Sequence, residues 1–140
     1  LIKTLLLIRS GSNASRRASQ GWRIYGDRKI FMRSKWEANY GRYLQWQKEH
    51  GKIKDWEHEP YIFRFEGLTK GCTTYKPDFK VIELDGSHYW VEVKGYYDQK
   101  SITKLKRLAL YYPQEKIKTV DKKWFKRNNE RMRIIIKGWE

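Results

Sequence analysis

An α/β domain, with a central mixed β-sheet flanked by helices and a β-hairpin ahead of it, is what the sequence predicts, and three observations lead there. Behind a leading hairpin, helical stretches and short apolar runs follow in the order helix, three strands, helix, strand, helix, a pattern of helices packed on a sheet. The 140 residues suffice for one hydrophobic core but not for two. Aromatic residues make up 16% of the chain, so a mean hydropathy of -0.91 describes a folded domain with a charged exterior and not a disordered polymer.

The elements follow in chain order. The opening "LIKTLLLI" and the Ser/Arg-rich, acid-free "RSGSNASRRASQG" read as a first strand and a flexible basic arm over 1–21, although the second stretch also has a transit-peptide composition. "GWRIYGDRKIFMRS" reads as two strands joined at Gly26-Asp27. Ser34 is placed as the N-cap of a helix in which Trp36, Tyr40, Tyr43, Leu44 and Gln47 recur at helical spacing, with Gly51 as terminator. Gly41 weakens that helix, which implies a close neighbour there. A strand with its apolar run at Tyr61 to Phe65 comes next, then a loop "LTKGCTTYKP" and a hairpin, "DFKVIELDGSHYWVEVKG". Asp98 caps a second helix that stops at Pro113. A strand around "KIKTV" closes a core expected over 22–120, and 121–140 reads as a basic helix and tail of the same domain. Trp22, Trp46, Trp56 and Trp124 read as core or dimer contacts.

The formal net charge of +15 points to a polyanionic partner, nucleic acid before a membrane surface. Its distribution is uneven. Positions 1–33 hold eight basic residues against one acid, and 94–133 hold thirteen against four, whereas 34–93 hold nine against ten. The acids are therefore kept for the middle of the chain. Cys72 is the only cysteine, which excludes an internal disulfide and fits a reducing cytoplasm; His50, His58 and His88 have no zinc-type spacing. No apolar run reaches the length of a membrane span.

The hairpin holds the chemistry, and its register decides which residues meet. A two-residue loop at Asp85-Gly86 would set Asp78 opposite Val93. A three-residue loop, Leu84-Asp85-Gly86 with Gly86 left-handed, sets Asp78 opposite Glu92. The apolar pattern selects the second, because it gathers Phe79, Val81, Tyr89, Val91 and Val93 on one face and Asp78, Lys80, Trp90, Glu92 and Lys94 on the other. Two facing carboxylates repel unless a proton or cation lies between them. A hard divalent ion, Mg2+ with Mn2+ as the alternative, suits them, and beside a scissile phosphate it would support phosphodiester hydrolysis.

Pro77-Asp78, thirteen residues, then Glu92-Val93-Lys94 resembles the signature of the PD-(D/E)XK nuclease superfamily. The fold that this implies is a restriction-endonuclease-like core. The Arg33-Ser34-x-x-Glu37 start of the first helix, the small size and the basic ends look most like phage-type and archaeal-type Holliday-junction resolvases. The resemblance implies Asp78 and Glu92 as metal ligands with the Val93 carbonyl, Lys94 as the catalytic lysine and Glu37 as the acid completing the site. Glu37 is also placed as the N3 residue of a capping box, a role that needs no catalysis. Glu59 is a reserve ligand or an edge ion-pair partner.

For DNA contacts the candidates are Arg33, Lys35, Lys80, Lys100, Lys104 and Arg107, with Lys122, Lys123, Lys126 and Arg127 as a second cluster and Tyr96, Tyr97, Tyr111 and Tyr112 as stacking or core residues. The expected function is a structure-selective DNA endonuclease, a homodimer cutting branched DNA in two places. Two alternatives stand: a non-catalytic nucleic-acid-binding module, and a nuclease of this superfamily that acts on ordinary duplex.

Overall fold

The computed structural model describes residues 19–140. The expected leading strand and arm lie, up to position 18, outside the described residues. An antiparallel hairpin of β1 (Gly21–Tyr25) and β2 (Arg28–Met32) precedes helix α1 (Lys35–Glu49). The main sheet is mixed, in the order β3-β6-β7-β8, built from β3 (Asp55–His58), β6 (Phe79–Ile82), β7 (His88–Val93) and β8 (Ile117–Val120). The first three strands run antiparallel and β8 joins β7 in parallel through helix α2 (Gln99–Tyr111). Helix α3 (Lys122–Ile135) follows. The expected α/β fold, with its leading hairpin and mixed central sheet, is the fold observed.

One strand differs from expectation. The apolar run Tyr61 to Phe65 is not the strand of the main sheet; that strand is β3, which starts six residues earlier in the same segment. Glu59 takes a left-handed φ of 46° and Pro60 follows, which turns the chain out of the sheet. Only β4 (Phe63–Arg64) remains of the run, paired with β5 (Thr74–Tyr75) in a small second sheet carved from the expected loop. Its apolar residues are not wasted: Phe63, Phe65 and Tyr75 pack with Trp90 of β7 and Leu108 of α2 into a second core.

The larger core lies on the other face of the sheet, where Phe79, Val81, Val91 and Val120 meet Tyr40 and Leu44 of α1 and Phe125 of α3. The C-terminal segment is thus part of the core and not an appendage. Trp36 stacks on Phe125 with ring centroids 5.0 Å apart, and Glu140 is bound by Arg23 and Arg42. Gly41 is explained by the hairpin: a Cβ there would sit 3.0 Å from the Tyr25 ring and 3.1 Å from the Met32 methyl. Trp56 is fully buried, whereas Trp22 stays 62% exposed on the outer face of the hairpin. Among the described residues no helix is long and apolar enough to cross a membrane.

Candidate active site

The β6–β7 hairpin closes in the three-residue register. Glu83 N–H donates to Ser87 O at 2.8 Å, Gly86 adopts φ 87°, and Phe79 faces Val91. Continuing that register sets Asp78 opposite Glu92. Pairing is sealed by a side chain, since Val93 N–H donates to Asp78 Oδ2 at 2.7 Å.

Both carboxyls hold their protons more tightly than usual. Asp78 is 7% exposed. Burial first, then the charges of Glu92 and Glu37, push its carboxyl up to about 8 against the opposing pull of the Val93 amide and Arg33. Glu92 is raised too, again chiefly by burial, although a hydrogen bond from Tyr75 and the charges of Lys94, Lys104 and Arg33 work the other way. Tyr75 Oη donates to Glu92 Oε2 at 2.7 Å, and Tyr75 is itself buried in the second core. The small β4–β5 sheet therefore has a use: it brings a phenol to the acid.

Glu37 meets the pair from α1. Ser34 Oγ accepts from Glu37 N–H at 3.1 Å, so the N-cap is as expected. The return half of the capping box is not: Glu37 Oε2 accepts from Arg33 N–H at 2.7 Å instead of from Ser34. Its other oxygen, Oε1, lies 3.0 Å from His58 Nε2. Burial alone would raise this carboxyl, but the hydrogen bonds and charges of His58 and Arg33 outweigh it and hold it below the ordinary range. One acid of the cluster is thus kept ionised while two are pressed toward protonation.

Arg33 is the cation that the cluster already contains. Its Nη2 lies 3.3 Å from Asp78 Oδ1 and 3.4 Å from Glu37 Oε1, and it also pairs with Glu59. Arg33, expected to contact DNA, keeps an exposed side chain while it pairs with carboxylates from α1, from the segment after β3 and from the residue before β6. Glu59 pairs further with Lys76 at 2.9 Å, as an ion-pair partner in the cluster rather than a spectator. Lys94 stands at the end of β7, yet its ammonium is 2.5 Å from Ser101 Oγ and 3.7 Å from Asp98, at the N-terminus of α2. Gly95 explains how the strand end fits there, since a Cβ would come within 2.4 Å of the Trp36 ring.

The remaining expected DNA contacts divide. Lys35 and Lys100 are exposed, and Lys104, half-buried, is close enough to Glu92 to lower its proton affinity. Lys100 and Lys104 line one wall of a groove whose other wall is Gly71 to Thr74. Arg107 lines the same groove and also donates to Cys72 O at 2.6 Å, which ties that loop to α2. Lys80 lies over Trp90, its Nζ 5.6 Å from the ring centroid. Sequence reasoning missed His58, Tyr75 and Ser101. His58 was weighed only for zinc spacing, Tyr75 sat in an assigned loop, and Ser101 carried no signal beyond its place in the capped first turn.

The donor set fits a hard divalent cation. Asp78 and Glu92 offer oxygen on the hairpin, and Glu37 and Glu59 offer it beside His58, where Glu59 Oε1 faces the Arg33 guanidinium. Glu37, His58 and Glu59 each offer a ligand atom, all within 4.8 Å of one another, and the imidazole widens the set toward Mn2+. The family described as "Protein of unknown function (DUF1064)" matches residues 23–129, a span that holds every residue of this cluster. The chain belongs to that family. No curated protein matches it.

Proposed function

We propose that the chain is a metal-dependent endodeoxyribonuclease selective for branched DNA, working in the manner of the PD-(D/E)XK nucleases that it resembles. The observation that supports this most is the pair Asp78 and Glu92, the first buried and the second half-buried, facing each other at the open end of the β6–β7 hairpin and both raised in proton affinity, in a strongly basic chain. Natural proteins retain such mutually repelling buried acids chiefly where a cation or a proton is meant to join them.

Asp78 and Glu92, with the Val93 carbonyl, would hold Mg2+ or Mn2+. When bound, the ion would polarise a scissile phosphate and acidify a water. The other steps fall to the chain. Tyr75 fixes the Glu92 carboxylate by donating to Oε2. Glu37, kept ionised by His58 and Arg33, adds negative charge where a cation must stay. Arg33, 56% exposed at its side chain, has room to turn from the carboxylates onto an incoming phosphate. Lys94 is presented by Ser101 and Asp98 on the same edge, ready to balance charge at the phosphate or to orient the attacking water. Lys100 and Lys104 guide the backbone along the α2 groove. Two copies related by a two-fold axis would supply the paired cuts that a four-way junction needs.

A second reading rests on Arg33 itself. A guanidinium shared by Asp78, Glu37 and Glu59, with His58 on Glu37 and Lys76 on Glu59, makes the cluster self-sufficient, as a structural ion network in a non-catalytic DNA-binding module. Metal dependence separates the two. The purified protein is incubated with a labelled immobile four-way junction and with the matching linear duplex, in Mg2+ and in EDTA, beside Lys94→Ala. Paired symmetric nicks in the junction alone, lost with EDTA or with the substitution, are the expected result. Equal cutting of the duplex would move the reading to an ordinary duplex nuclease, and binding without cutting would leave the module.

A further inference from the structure

The face of the sheet that carries Asp78 and Glu92 also carries a second row of side chains. Register places Glu57 opposite Lys80, Lys80 opposite Trp90, and Trp90 beside Ile117. Asp78 and Glu92 stand two residues along the same strands, about 6.6–6.8 Å away. Above this second row lies an open pocket of about 360 Å3 whose walls include Tyr61, Phe63, Trp90 and Tyr112, with Lys80 and Glu115 at its polar edge.

Aromatic rings pack against one another in its walls. Phe63 packs edge-on to Trp90 at 5.1 Å and against Tyr112 at 4.9 Å, while Tyr61 packs edge-on to Phe63 at 4.9 Å. Trp90 Nε1–H donates to Glu115 Oε2 at 2.8 Å, and His88 Nε2 lies 2.9 Å from the same oxygen, so the carboxylate is held in place. Tyr61 is 52% exposed, which leaves half a ring for a guest. Nothing in the phosphodiester chemistry proposed above uses this pocket.

We infer that the pocket takes an unpaired nucleobase of the DNA substrate, stacked against Tyr61, while the backbone beside it runs past Lys80 to the carboxylate pair. The inference rests on the DNA-binding half of the function proposed above. Three features select this occupant. An aromatic wall accepts the face of any base. The Glu115 carboxylate can accept from an exocyclic amine. Lys80, which lines the pocket beside Glu57 and Glu115 two residues along β6 from Asp78, is placed to meet a phosphate attached to the guest, which favours a nucleotide over a neutral aromatic molecule. A fully paired duplex offers no base to the pocket, so the selectivity for branched DNA becomes a consequence of where one base goes.

The test uses the full chain and a DNA duplex with one bulged 2-aminopurine, against the same duplex with that base paired. In EDTA, binding is followed by fluorescence for the wild type, Tyr61→Ala and Tyr61→Phe; in Mg2+, cleavage of both DNAs is followed. The expected result is quenching of the bulged probe, about tenfold tighter binding of the bulged than of the paired DNA, loss of both in Tyr61→Ala, and retention in Tyr61→Phe. Equal affinities with unchanged fluorescence, alongside metal-dependent cutting, would overturn the pocket and leave the nuclease. Quenching that depends on Tyr61 without any cutting would support the pocket and remove the nuclease. Absence of DNA binding would overturn both.

Discussion

The two faces of the β6–β7 hairpin are separated by one residue at every step, and they have opposite characters. One carries Phe79, Val81 and Val91, all fully buried against α1 and α3. The other carries Asp78, Lys80, Trp90 and Glu92, where one buried and two half-buried charged groups adjoin an aromatic cluster and neighbours must be found for each. On the first face the chain gains stability from removal of apolar surface; on the second it gives some back by confining repelling acids. Alternation along a strand lets a small domain hold both in one sheet.

The sharpest way to break the comparison is to remove charge from the second face. Asp78→Asn is expected to lower metal-dependent cleavage about a thousandfold, roughly 4 kcal/mol, while raising the melting temperature of the metal-free protein. Loss of activity together with loss of stability would say that Asp78 is a structural acid. The mirror experiment, Phe79→Ala, is expected to cost about 3–5 kcal/mol in denaturant unfolding. A value below about 1 kcal/mol would mean that the apolar face is looser than its burial implies.

Smaller changes probe the supports. Gly95→Ala sets a methyl against the Trp36 ring and is expected to cost about 1–3 kcal/mol, read by thermal melts, with the strand end that carries Lys94 displaced. Tyr75→Phe keeps the packing and removes the donor to Glu92, for an expected fall of about tenfold in divalent-cation affinity. pH sharpens the contrast further. Asp78 binds its proton more tightly folded than unfolded, so its contribution to stability is complete below about 4 and is lost as pH climbs through about 8. The metal-free wild type should therefore lose stability over that range relative to Asp78→Asn, and a saturating divalent cation should recover it. Parallel melting curves for the two proteins across those pH values would contradict the assignment.

Much of this site could be read before any coordinates. The register of the hairpin was legible because a slip by one residue would have turned Phe79 and Val81 to the wrong face, and Gly86 supplied the only loop that avoids it. Asp78 and Glu92 were legible for the same reason. What was not legible depends on contacts far apart in sequence. Arg33 read as a DNA contact at the entry to the first helix; its pairing with acids from α1, the segment after β3 and the residue before β6 carried no local signal. His58 and Tyr75 are local to nothing they touch, at separations of 21 and 17 residues from their partners. The Tyr61 to Phe65 run misled because its apolar residues serve a second core, which periodicity alone cannot tell from the main sheet.

The central claim is that Asp78 and Glu92 form a divalent-cation site, and calorimetric titration of Mn2+ into the full chain near neutral pH tests it most directly. The account predicts saturable binding with proton release by the wild type, abolished in both Asp78→Asn and Glu92→Gln. Binding that is absent in the wild type, or unchanged in the two variants, would contradict it.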